Sequence, residues 1–334
     1  MGKMGKQTII LDKKPNIISS YSIVGPKEGR GPMGSYFDKI VDNDMCGQDT
    51  YEKAEQKFME KAVFGAIEKA KRSPASIDMF LSGDLLNQII SASFTAREFD
   101  TTFIGLFGAC STMTESIAVG SCLVDGGYVN NVICATCSHF ASVERQFRNP
   151  LELGTQRPPT AQWTVTGAGA TILECGGRGP YIEAVTFGKV CDYGVVDVNN
   201  MGAAMAPSAM HTMKAHFQDL NRTPNDYDLI FTGDLGKLGS EILIDLMEKE
   251  GYTLGVNYSD CGCLIFDKEQ KTFMGGSGCG CSAAVLNSYV IKKLINKEVK
   301  SVLFLSTGAL LSPLSAQQGL SIPGIAHAIS IRSE

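Results

Sequence analysis

Phe80-Leu81-Ser82-Gly83-Asp84-Leu85 is answered 150 residues later by Ile230-Phe231-Thr232-Gly233-Asp234-Leu235. The correspondence runs upstream without a gap, since Arg72-Ser73-Pro74 and Asp78 fall on Arg222-Thr223-Pro224 and Asp228. Ile104-Gly105 falls on Leu254-Gly255 at the same offset, but Val129 to Cys137 fall on Val299 to Thr307 at an offset of 170. The chain is therefore a duplication, with halves over 1–175 and 176–334, and the second half carries an insertion of roughly 20 residues.

Each half alternates helical and extended patterns, which predicts an α/β fold with helices packed on sheets. Ala54, Phe58, Ala62, Ala66 and Ala70 recur every four residues beside Met59, Val63 and Ile67, the stripe of an amphipathic helix. Strands are expected over Ile77 to Leu81, Phe103 to Phe107, Asn131 to Thr136 and Asp228 to Thr232, with a helix from Ser111 to Val124. Ser240 reads as the N-cap of a helix through Glu250, and Gly251 as its C-terminal cap. Gly25 to Gly34 and Asn149 to Thr166 read as long loops, of the kind that serve function or interfaces.

Composition narrows the function. A chain of 334 residues at 44% hydrophobic content can bury a large core, and 30 Lys plus Arg against 35 Asp plus Glu leave a net charge of −5 without a basic block, so nucleic acid is not an expected partner. The N-terminal Met1 to Leu11 lacks the apolar run of a signal peptide, and no segment reaches the ~18 apolar residues of a membrane span. Eleven cysteines, an odd number dispersed in apolar runs such as Val132-Ile133-Cys134-Ala135, suggest reduced core thiols rather than a disulfide framework. Cys134 and Cys137, and the C-x-C pairs Cys261/Cys263 and Cys279/Cys281, sit in or beside apolar strands instead of the knuckle turns of zinc sites, so no metal is assigned to them.

The chemistry gathers at strand ends. Phe107-Gly108-Ala109-Cys110-Ser111-Thr112 places Cys110 at a strand-to-helix turn, where free N–H groups and the helix dipole favour a thiolate. Asp84 and Asp234 take the same place in the two halves, either facing the crevice between them or capping the helices that follow. His139 follows the strand ending at Cys137 and is expected at the same crevice, as a pocket-wall residue or as partner of Cys110 in acyl transfer. Arg145 and Arg148 could pair with carboxylates of a ligand, or with surface acids. Cys279, in the glycine-rich run Gly275 to Gly280, is placed at the pocket, and that run's N–H groups could meet an anion. His211, His216 and His327 read as structural.

The Gly108-Ala109-Cys110-Ser111 turn, the duplicated halves, Val165-Thr166-Gly167-Ala168-Gly169-Ala170 and the closing Gly324-Ile325-Ala326-His327-Ala328 resemble thiolases and type III ketoacyl synthases. Further stretches bring the chain closer to the stage V sporulation protein AD family: Gly25-Pro26-Lys27-Glu28, Gly83-Asp84-Leu85-Leu86-Asn87-Gln88, Ser138-His139, Glu144-Arg145-Gln146-Phe147-Arg148, Gly275-Gly276-Ser277-Gly278-Cys279 and Thr307-Gly308-Ala309-Leu310-Leu311-Ser312-Pro313. The resemblance implies a thiolase-like fold, two βαβαβ halves related by a pseudo-two-fold axis in a five-layer α-β-α-β-α sandwich. It implies a non-catalytic protein that binds dipicolinic acid, free or with calcium, and helps its uptake into the developing spore. Asn87, with Cys110, Asp84, His139, Asp234, Cys279 and Arg145, would form the ligand site. Membrane proteins of the same sporulation operon and a second copy of the chain would be partners, with peripheral association at the forespore or spore inner membrane and no cofactor apart from calcium carried by the ligand. Where the condensing enzymes carry a His in a His-Gln-Ala-Asn stretch, this chain has Thr232-Gly233-Asp234-Leu235, and Gly275 to Cys279 replaces the turn that holds their second partner. Without a base the cysteine loses the terms that drive condensation. A Cys110-dependent acyltransferase and a scaffold with a relict pocket are the alternatives.

Overall fold

The computed structural model describes residues 2–148 and 150–333; Asn149, the first residue of the loop expected over 149–166, lies outside the described residues. Ten strands carry the duplication. In the first half they are β1 (Asn16–Val24), β2 (Met79–Gly83), β3 (Thr102–Gly105), β4 (Asn131–Ser138) and β5 (Gly167–Glu174). In the second they are β6 (Tyr181–Thr186), β7 (Leu229–Thr232), β8 (Tyr258–Asp260), β9 (Ser301–Ala309) and β10 (Gly324–Arg332). Spatial order is β1-β5-β4-β2-β3 in one half and β6-β10-β9-β7-β8 in the other, the same order element for element. The directions repeat as well. β2 is parallel to β3 and β4 while β5 is antiparallel to both β4 and β1; β7 is parallel to β8 and β9 while β10 is antiparallel to both β9 and β6. The two halves join through β1 and β6 by the pairing of Asn16 with Tyr181.

Three apolar clusters separate five layers. Helix α1 (Tyr51–Lys69) puts its stripe, Phe58, Ala62 and Ala66 among them, on one face of the first sheet against Phe80, Ile133 and Ala170. Helix α2 (Ile90–Arg97) contacts the same helix and strand β2. Between the sheets run α3 (Thr112–Gly126) and its second-half counterpart, a helix that begins as Cys279–Val285 and continues through a π turn to Ile291–Ile295. There Met113 and Ile117 meet Leu81 and Cys134 from one sheet and Phe304 and Ile329 from the other. The outer face of the second sheet is covered by α5 (Met201–Leu220) and α6 (Gly236–Lys249) around Phe217, Ile230 and Leu303. Phe58, Phe80, Phe217 and Phe304 are wholly buried, each gaining about 1.5–3 kcal/mol over an exposed position.

The expected elements are all present, with shifted ends. The strand expected over Ile77 to Leu81 runs from Met79 to Gly83, because Pro74–Ser76 forms a 3-10 turn ahead of it, and the one expected to Phe107 stops at Gly105. Ser240 does not cap α6: it lies one turn inside, since Gly236, at φ +64, starts the helix directly after the strand and Asp260 of β8 binds its first N–H groups. The loop of 25–34 contains a short helix, Pro26–Gly29, and the loop after α4 (Phe140–Phe147) contains a strand, Trp163–Thr164, that pairs with Gly276–Ser277 of the insertion.

Candidate functional site

The turn after β3 is built tightly. Ala109 takes the left-handed conformation at φ 50, at a cost of about 1–2 kcal/mol for an L-residue. Ser111 Oγ donates to the Gly108 carbonyl at 2.7 Å and Thr112 Oγ1 to the Ala109 carbonyl at 2.6 Å, which holds Cys110 just ahead of α3. Gly308 of β9 presses against this turn so closely that a Cβ there would stand 2.3 Å from the Gly108 oxygen. Cys110, 8% exposed, forms part of the wall of a cavity of about 860 Å³. Further parts of the wall come from the turn itself (Phe107 and Ala109), the segment after β2 (Asp84 to Ile89), the end of α4, Thr164 with Ser277 and Gly278, the start of α5 and the end of β9 with the loop after it (Ala309 to Ser315).

Cys279 is the second-half counterpart of Cys110, and the duplication brings the two together. The Cys279 thiol donates its one proton to the Ala109 carbonyl at 3.1 Å, which leaves its sulfur as an acceptor toward the Cys110 thiol. Asp234 lies beside them, wholly buried. Its Oδ1 accepts from Thr307 Oγ1 at 2.7 Å, its Oδ2 from Ser277 Oγ at 3.1 Å and Gly278 N–H at 3.0 Å, and the Cys110 thiol also bonds to it. Burial pushes Asp234 up to about 6 despite these donors. The helix terminus at Cys110 was expected to favour a thiolate, and the opposite holds: the hydrogen bond with Cys279, burial and the Asp234 charge hold the Cys110 thiol well above its ordinary range. A dipole acts weakly beside a full negative charge in the same dry pocket. The glycine-rich run does not offer its N–H groups to a ligand either, because Gly278 N–H serves Asp234 and Gly280 N–H donates to Ser138 Oγ at 2.9 Å.

Asp84 and Asp234, alike in sequence, part company. Asp84 Oδ1 and Oδ2 each accept a backbone N–H, from Leu86 and Ala92, at 2.8 Å. It therefore anchors the start of α2 and also forms part of the cavity wall, and burial raises it to about 6. Asp234 performs no such duty for α6. Asp260 does, accepting from Leu235 and Gly236 N–H at 2.9 Å, and burial pushes it up to about 7. Asp84 thus meets both readings, as cap and as cavity wall, whereas Asp234 caps no helix and lies buried behind the wall.

Of the seven expected site residues Asp84, Asn87 and Cys110 line the cavity, Asp234 and Cys279 are buried behind Cys110, and His139 and Arg145 lie elsewhere. His139 is wholly buried and N-caps α4, its Nδ1 accepting from Ala141 N–H at 3.1 Å while Nε2 meets the Asp44 carbonyl at 3.1 Å. Its ring packs on Tyr51 and Phe58, burial lowers its pKa, and with both nitrogens committed it is no partner for Cys110. Arg145 points out to Glu52 of α1 and lies over the Tyr51 ring, so it does not reach the cavity. Asn87 does belong to the wall, its N–H donating to Gln146 Oε1 at 3.0 Å. So does Arg148, which with Asp84 and the Cys110 thiol makes up the ionisable groups of the described wall. Histidine is absent from that wall: His211 meets Tyr193, His216 lies between Thr186 and Tyr227, and His327 accepts from Gly188 N–H. Sequence reasoning missed Phe107, Phe147, Met201, Met205 and the loop from Leu310. Of these only the loop had a signal, as the continuation of Thr307-Gly308-Ala309 beyond a strand's C-terminal end.

The family model described as Stage V sporulation protein AD (SpoVAD) matches residues 5–332. Stage V sporulation protein AD of Bacillus subtilis (strain 168) is 47% identical over 325 residues, covering 97% of this chain and 96% of that protein. Among solved structures, 3-oxoacyl-[acyl-carrier-protein] synthase III from Aquifex aeolicus VF5 aligns over 95% of this chain and 99% of its own at TM-score 0.58 and 10% identity. Cerulenin-bound Xanthomonas campestris OleA aligns over 97% of both chains at TM-score 0.62 and 12% identity. At such identities the likeness to these two establishes the fold, which is thiolase-like.

Proposed function

This chain belongs to the stage V sporulation protein AD family, and we propose from that premise that it is a non-catalytic binding protein for dipicolinic acid, free or as its calcium salt, that aids uptake of the acid into the developing spore. One observation carries the reading. A cavity of about 860 Å³, in the size range of small-molecule sites, ends on a cysteine held protonated by its surroundings, with an acceptor carboxylate and a second thiol where a condensing enzyme needs a base. Cys110 is then a wall of the pocket. Cys279 and Asp234 set its state from behind, and Asp84 and Asn87 stand on the wall where a calcium ion carried by the ligand's carboxylates would be met by hard oxygen ligands.

Among the described residues no helix is long and apolar enough to cross a membrane. The proposal therefore includes peripheral association at the forespore or spore inner membrane through membrane proteins of the same operon. It also includes a homodimer; among the described residues the sheet ends at β3 and at β8, and either outer edge could take a strand of a second copy.

Isothermal calorimetry of the purified chain with dipicolinate, with and without calcium, tests the reading: saturable heat is expected, and none under either condition would end it. The competing acyltransferase reading, which the fold of the synthases favours, predicts a mass shift at Cys110 with acyl-CoA donors; we expect none.

A further inference from the structure

The cavity wall contains a cation whose hydrogen-bonding capacity is only partly met. Arg148 lies at the end of α4 with its side chain only 8% exposed. One terminal nitrogen, Nη1, bonds Glu144 Oε1 at 2.5 Å, while Nε is buried without any acceptor. Asp84, the other charged group of the described wall, is occupied by backbone N–H groups and does not compensate it. Arg157 stands in the same electrostatic neighbourhood. Its guanidinium stacks over Trp163, 4.9 Å from the ring centre, and Phe140 at 5.7 Å, and both Nη1 and Nη2 are buried with no acceptor. Burial lowers Arg157 to about 10, and the charges of Glu144 and Arg148 act on it in opposite senses.

Arg148 therefore reaches the cavity wall held by one carboxylate and with Nε unpaired, while the two unpaired nitrogens of Arg157 belong to a residue that does not line the cavity and acts on it through its charge. Native proteins rarely strand buried donors unless something supplies the partner. The chemistry of the missing partner follows from the donors: guanidinium is planar and pairs in bidentate fashion with carboxylate. Apolar Phe147, Met201 and Met205 in the same wall would suit a flat hydrocarbon or aromatic body behind that group.

We propose that Arg148, backed by the charge of Arg157, is the carboxylate-recognising residue of the cavity, and that a planar aromatic carboxylate docks there by competing with Glu144 for its guanidinium. The inference rests on the binding function proposed above and names the residue that would select its ligand.

The test is calorimetric titration of the full chain with pyridine-2,6-dicarboxylate, isophthalate and benzoate, in wild type, R148Q, R157Q, E144Q and R145Q. Arg148→Gln should weaken carboxylate binding about 10- to 100-fold and Arg157→Gln about 3- to 10-fold, while Arg145→Gln, whose partner is Glu52 outside the cavity, should stay within twofold. Glu144→Gln should tighten binding about 3- to 10-fold by removing the competitor. Wild type that binds dipicolinate with R148Q within twofold of it overturns Arg148 and leaves the binding function standing. Wild type that binds isophthalate or benzoate through Arg148 but not dipicolinate overturns the proposed function and leaves the subsite, and wild type that binds none of the three overturns both. If R148Q does not fold, E144Q decides: unchanged or weaker binding overturns the proposal.

Discussion

Replacing Asp234 by asparagine should make Cys110 react faster. At pH 8 Asp234, raised only to about 6, is ionised, and the Cys110 thiol hydrogen-bonds it, so thiolate formation places two negative charges side by side in a buried site. At about 4 Å and an effective dielectric near 20 that repulsion is about 4 kcal/mol. The hydrogen bond with Cys279 and burial also hold the thiol up, but this repulsion alone corresponds to a factor of about 1,000 in the population of the thiolate, at 1.36 kcal/mol for each tenfold change. Removing the charge would release that factor, but a less basic thiolate is a weaker nucleophile. With a Brønsted slope near 0.5 about half the logarithmic gain survives, roughly 30-fold in rate. The asparagine oxygen can still accept from Gly278 N–H, so the fold should lose only about 2 kcal/mol of charge-assisted bonding. Over 334 residues, at an unfolding entropy of about 0.7 kcal/mol/K, this lowers Tm by about 3 °C. Iodoacetamide labelling at pH 8, followed peptide by peptide in the mass spectrometer, reads the rate at Cys110. An equal or slower rate in an Asp234→Asn protein that still melts cooperatively would refute the role given to this carboxylate.

Three further outcomes are expected. Asp260 is raised to about 7 from an unfolded value near 3.9, so its contribution to stability is complete below about pH 4 and lost as pH rises through 7; the stability difference between wild type and Asp260→Asn should move in the variant's favour by about 2 kcal/mol from pH 5 to pH 8, and equal differences in denaturant titrations at the two pH values would contradict this. His139→Ala should cost about 1–2 kcal/mol through the lost cap of α4 and leave Cys110 labelling unchanged, whereas slower labelling would return His139 to the site. Gly308→Ala forces a Cβ to 2.3 Å from the Gly108 carbonyl and should cost about 1–3 kcal/mol, while Gly255→Ala, whose nearest neighbour would be 3.5 Å away, should melt within a degree of wild type.

The duplication, the α/β class and the displayed turn at Cys110 were legible in the chain because they depend on local, repeated features. A helical stripe such as Ala54 to Ala66 and a strand ending in Gly-Asp need no distant partner to be recognised. Cys279 was placed at the pocket from the glycine-rich run before it, and the structure sets it wholly buried behind Cys110, off the cavity wall, at the start of the helix that answers α3.

Which identical-looking residue serves which purpose was decided only in three dimensions. Asp84 and Asp234 follow the same strand and the same glycine, yet Asp260 arrives from β8 to bind the first N–H groups of α6 and frees Asp234 to turn toward the cysteines. Arg145 and Arg148 lie three residues apart, but Glu52 on α1 draws the first outward while the second stays buried beside the cavity. His139 stands at a strand end like a ligand residue, and the Asp44 carbonyl and Ala141 N–H claim both its nitrogens. Hydrogen bonds and burial between segments far apart in the chain set these assignments, and they set the protonation of Cys110 as well: the turn that displays it is written in its neighbours, whereas the Cys279 sulfur and the Asp234 carboxylate that help keep it a thiol come from the other half of the molecule.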